Sequence, residues 1–125
     1  MKRSLLWGTL FTLACAAPLA AHAQRVSNVT GANLLGHCTS AQFSQVQNCE
    51  AYLDGVADTF AGMMKFGPKD PQGKPLAASI CIPAKVTGRD LRLLVIHGLQ
   101  QEPALQSRQA VEAVQPILHH AYPCH

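Results

Sequence analysis

Four cysteines, Cys38, Cys49, Cys81 and Cys124, are spread over the last hundred residues of this chain, and the segment ahead of them decides what they can become. Lys2 and Arg3 open that segment, Leu5 to Leu13 form an apolar run, and Ala21-His22-Ala23 is a small-x-small site. This is the pattern of a secretory signal cleaved before Gln24. Its apolar stretch is shorter than the roughly 20 residues a bilayer-spanning helix needs. Cys15 leaves with the signal, and Thr12-Leu13-Ala14 before it lacks the leucine that lipidated sites usually carry at the third position back. An even number of cysteines in an exported chain favours structural disulfides, because export compartments are oxidising. No Cys-x-x-Cys pair is present, which weakens zinc and thiol-redox readings.

The expected organisation is residues 1–23 as signal and 24–125 as one domain, 102 residues long. A chain of that size buries a modest core and gains from covalent cross-links. Without Lys2 and Arg3, eight Lys and Arg remain against seven Asp and Glu. A net charge near +1, with few aromatics and no basic run, gives no case for nucleic-acid binding.

Four helices are expected and no convincing strand. The first, Thr30 to His37, carries Leu34 and Leu35 with Thr30 as its cap. The second spans Ala41 to Lys65. There Phe43, Val46, Cys49, Leu53, Val56, Phe60 and Met64 recur at steps of three and four, which makes one apolar stripe. Gly67-Pro68 ends it, and Lys69 to Ala78 is an exposed loop. The third starts at Thr87, with Asp90 completing a capping box, and runs through Leu91, Leu94, Val95 and Leu99 to Glu102-Pro103. The fourth runs from Ser107 to Ala121 with Val111, Val114, Ile117, Leu118 and Tyr122 facing inward, and Pro116 removes one backbone bond and bends it. The fold class is therefore all-α, a small disulfide-linked bundle of about four helices.

Four cysteines can pair in three ways. Cys81 precedes the third helix and Cys124 follows the fourth, while Cys38 and Cys49 flank the turn between the first two. This placement favours Cys38 with Cys49 and Cys81 with Cys124. The alternative of Cys38 with Cys124 and Cys49 with Cys81 stays open.

Gly55 and Gly62 lie seven apart on the second helix, opposite its stripe, where each costs about 1 kcal/mol relative to alanine. Close approach of another backbone, within the bundle or across a dimer, would use them. Glu50, Asp54 and Asp58 follow at four-residue steps. Paired carboxylates can serve acid-base chemistry or a hard cation. A solvated or structural helix flank explains them without either, with Asp58 able to bond a neighbouring helix start.

Cys49-Glu-Ala-Tyr52-Leu-Asp-Gly55-Val-Ala-Asp58, Ile80-Cys81-Ile-Pro83, Leu99 with Pro103, and Tyr122-Pro123-Cys124 together resemble the Rap/Tai family of type VI secretion immunity proteins. Leu34-Leu35-Gly-His-Cys38 matches the short Leu-Leu-x-x-Cys helix with which that family begins. The resemblance covers about Gly31 to Cys124. It implies a periplasmic, disulfide-held, non-catalytic protein, often a homodimer, that binds and inhibits a cell-wall amidase effector. It also implies that Cys49, Tyr52, Gly55, Asp58, Cys81, Pro83 and Cys124 are mostly framework. Pro116 departs from the family's smooth last helix. The Lys-, Gly- and Pro-rich loop Lys65 to Ser79 belongs to the part that differs among members. That loop, with Lys65, Lys69, Asp70, Gln72 and Lys74, is the candidate partner-binding element, because inhibitors commonly present a long polar loop on a rigid scaffold.

His37, His97, His119, His120 and His125 raise the idea of a metal site, but adjacent helical residues such as His119 and His120 point about 100 degrees apart. No metal and no cofactor is expected. Unperturbed imidazoles in general titrate near 6.5, which suggests the rival function, an acid-activated periplasmic chaperone of the HdeA type, with another small periplasmic binding protein as the remaining alternative. A second disulfide counts against the loosening such a chaperone needs. No Gly-x-Ser-x-Gly turn, paired glycine loop or His-Glu-x-x-His is present, so no enzyme is expected. Asn28-Val-Thr30 fits a glycosylation acceptor but is too short a match to carry weight.

Overall fold

The computed structural model describes residues 28–76 and 79–125; the signal segment lies outside them. Four helices follow in order: α1 (Gly31–Cys38), α2 (Phe43–Phe66), α3 (Gly88–Gln101) and α4 (Ala110–Ala121). A 3₁₀ turn, Pro103–Ser107, joins the last two. Among the described residues there is no named strand, only three isolated bridges, and the all-α expectation holds.

Two helices start on reciprocal caps. Thr30 Oγ1 accepts from the Asn33 amide while Asn33 Oδ1 accepts from the Thr30 amide, both at 3.2 Å. Thr87 and Asp90 repeat the device at α3, with the Thr87 amide donating to Asp90 Oδ2 at 2.9 Å. Each box satisfies backbone donors that the first helical turn leaves unpaired. At the other end of α3, Gln106 Nε2 donates to the Leu99 carbonyl at 2.8 Å.

The core gathers Leu34, Leu53, Leu91, Val95, Leu99, Val114 and Leu118 from all four helices, with Leu105 of the 3₁₀ turn. Gly31 marks the closest approach: a β-carbon there would lie 2.6 Å from the Leu105 carbonyl oxygen. The chain just before α1 also pairs with the segment before α4, through Gly31 N–H to Arg108 O at 2.9 Å and Ala110 N–H to Val29 O at 2.8 Å.

Several expectations are corrected. Phe43 is 74% exposed, and the first fully buried residue of α2 is Cys49, where the disulfide to α1 fixes the helix. Helix α4 begins at Ala110 rather than Ser107, since Pro103 opens a separate 3₁₀ turn ahead of it. Val111 points outward, because the small residues Ala110 and Ala113 form the buried face with Val114 and Leu118. Pro116 lies inside α4, as the sequence places it, and the helix runs through it from Ala110 to Ala121.

Candidate functional site

The geometry of any working surface here depends first on the cross-links. Cys38 joins Cys49 with Cα atoms 5.1 Å apart, and Cys81 joins Cys124 with Cα atoms 5.0 Å apart. The two bridges differ in environment. Cys38 and Cys49 are wholly buried, whereas Cys81 and Cys124 are half-buried, with Met64 Sδ 4.0 Å from each sulfur. Around the second bridge, Cys81 N–H donates to Tyr122 O at 2.8 Å and Ile80 bridges to Pro123. The chain end is thereby tied to the strap that leads into α3.

The acidic edge of α2 divides into three separate roles. Glu50 Oε1 accepts from Arg92 Nε at 2.8 Å, and Arg92 Nη1 also donates to the Cys38 carbonyl at 3.2 Å. One guanidinium thus connects α3 to α2 and caps the C-terminus of α1, where helix carbonyls lack partners. Asp54 lies against the start of α3, its carboxylate within 2.9 Å of where a β-carbon on Gly88 would stand. It is therefore Asp54, not Asp58, that meets a neighbouring helix start, where the helix dipole favours a negative charge. Asp58, one turn further on, is exposed at the rim of a groove between α2 and the strap.

The other residues expected as framework are also scattered. Tyr52 is half-buried beside the core, and burial raises its phenol pKa above the ordinary value of 10.0. Pro83 lies in the groove wall and accepts from Val86 N–H at 3.0 Å. Gly55 and Gly62 face open space, with nothing within 4 Å of a β-carbon built on either. Among the described residues, no close approach inside the bundle accounts for these two glycines.

Within the candidate loop, residues 68–76 form a hairpin, and residues 77–78 lie outside the described residues. Lys69 bridges to Pro75, Asp70 N–H donates to Lys74 O, and Gly73 N–H donates to Asp70 O, each bond 2.9 Å. Gly73 takes φ +81°, a conformation that suits a residue without a side chain. Asp70 Oδ1 accepts from the amides of Gln72 at 2.9 Å and Lys74 at 2.7 Å. Asp70 is therefore occupied in building the turn, in the manner of aspartate at the first position of a β-turn. Lys65 belongs to the last turn of α2 and stands 5.2 Å from the ring centre of Phe66. Lys69, Gln72 and Lys74 are exposed. Sequence reasoning overlooked the apolar part of this surface, Phe66 at 80% and Leu76 at 67% exposure. Single apolar residues in a polar loop carry no periodicity that would mark them.

Among the described residues, no group of three or more potential metal ligands converges, and no helix is long and apolar enough to cross a membrane. No curated protein and no solved structure matches the chain. The family model described as Rap1a immunity proteins matches residues 30–124, a span that takes in all four helices and both disulfides. The chain belongs to the Rap1a immunity protein family.

Proposed function

We propose that this protein is exported to the periplasm by residues 1–23 and there binds and inhibits a peptidoglycan amidase effector of type VI secretion, with no catalysis of its own. The observation that carries the reading is the family match over residues 30–124. Two disulfides are consistent with folding in an oxidising compartment.

The hairpin at 68–76 is the proposed contact. Its turn is fixed by its own hydrogen bonds, so docking it would lose little conformational freedom. Phe66 and Leu76 offer apolar anchors, with Lys65, Lys69, Gln72 and Lys74 around them as a polar rim. Asp70 holds the turn instead of touching the partner. A second copy of the chain is proposed to cover the bare Gly55 and Gly62 side of α2.

The test is capture with the oxidised protein from periplasmic extract of its own organism, followed by titration of the captured hydrolase against isolated peptidoglycan. Amide cleavage that stops at equimolar inhibitor is the expected result. A captured amidase that continues to cleave with the protein bound would overturn the reading, as would capture of many clients only in acid.

A further inference from the structure

Between α2 and the strap at 80–86 lies a groove of about 650 Å³. It exists because Ala57 and Ala61, one helical turn apart, give α2 no bulk on this side. Ile80 and Leu91, both almost fully buried, contribute to its floor, and Ile82 stands in the strap wall. Two carboxylates, Asp54 and Asp58, share the α2 rim. Asp54 is partly accommodated by the start of α3, whereas Asp58 makes no hydrogen bond or ion pair among the described residues. Lys65, Lys85 and Arg89 are exposed and do not line the groove, and Arg92, beside Leu91, is paired with Glu50 instead.

An apolar trough with two negative charges on one rim matches a side chain with an aliphatic stem and a cationic head. We infer that the groove receives an arginine side chain of the partner protein, carried on an apolar segment. Arginine fits better than lysine, because its planar head is less strongly hydrated and can engage a carboxylate through two parallel bonds. The groove ends at Met64, next to Lys65 and Phe66, so an occupant would lie alongside the hairpin surface. The inference rests on the reading that the chain binds a protein, but its test does not need that protein.

The full oxidised protein, labelled with ¹⁵N, is titrated with acetyl-Leu-Arg-Leu-amide and with the same peptide carrying citrulline, the neutral isostere of arginine. Saturable shifts at the amides of Asp58, Ile82 and Leu91 are expected with the arginine peptide, with affinity about tenfold lower for the citrulline peptide. Asp58→Asn, which breaks no contact in the fold, should weaken the arginine peptide alone. Absence of saturable shifts at these amides, or equal affinity for both peptides, would overturn the inference. That failure, beside a captured amidase that is still inhibited, would remove the groove and leave the immunity reading intact.

Discussion

At the scale of the residue, much of this fold depends on a few side chains that satisfy backbone groups. Thr87 and Asp90 show how local such signals are: the capping box lies within four residues and was legible in the sequence. The Asp90 carboxyl is held below its ordinary value of 3.8, chiefly by the Thr87 side-chain hydrogen bond and then by the Thr87 amide. A carboxylate whose pKa is lowered by folding stabilises the fold above its unfolded pKa. That contribution is lost as pH falls through the folded value. Asp90→Ala should therefore melt earlier than wild type at neutral pH, with the gap closing in acid below 3.8; a gap unchanged by acid would contradict this role. Gly31 supplies a second prediction. A methyl group there meets the Leu105 carbonyl, so Gly31→Ala should cost about 1–3 kcal/mol in chemical denaturation, as overpacking does. Arg92 was not legible in the same way, because its partners Glu50 and Cys38 are 42 and 54 residues away and no local pattern announces them.

Elements were legible where periodicity or capping is strong and less so where tertiary contact decides. The stripe of α2 marked the helix, but not that its first turn would leave Phe43 in solvent. The inward face expected of α4 takes in Val111 with Val114, Ile117, Leu118 and Tyr122, and of these Val111 faces out. Packing instead chose Ala110 and Ala113, whose small size lets α4 approach α1 closely. The hairpin lies within a stretch whose composition predicts an exposed loop, and its internal order comes from Asp70 and Gly73 acting together. Asp70→Ala should thus loosen the turn. In hydrogen exchange, the Lys74 amide should lose protection while the core of α3 keeps its own; unchanged protection at Lys74 would contradict the bond. The two bridges should also separate under graded reduction. Mass-tag alkylation is expected at Cys81 and Cys124 before Cys38 and Cys49, since only the first pair is accessible to a dissolved thiol. The reverse order would contradict the burial. Chain entropy gives the 43-residue closure a value of about 4 kcal/mol and the 11-residue closure about 3, so the bridge more exposed to reduction is also the more stabilising one.

For the whole molecule, α2 carries an acid-rimmed groove along its length and a hydrogen-bonded, basic hairpin after its end, and one of its sides is left bare among the described residues. If a second copy covers that bare side, Gly55→Leu should convert a dimer to a monomer by light scattering, since the substitution meets nothing within the chain itself. A dimer of unchanged mass would move the interface elsewhere. The family could be recognised from short motifs in fixed order around the four disulfide cysteines, and the family model matches residues 30–124, which hold them all. The partner is not written there, because contact surfaces vary independently of the fold. Protection inside the cell tests the central claim most directly. The captured amidase is directed to the periplasm of a sensitive strain, with this protein supplied either from its full gene or from a gene starting at Gln24. Survival with the full gene, and lysis when the protein is kept in the cytosol, is the predicted result. Lysis despite folded, oxidised protein in the periplasm would contradict the account.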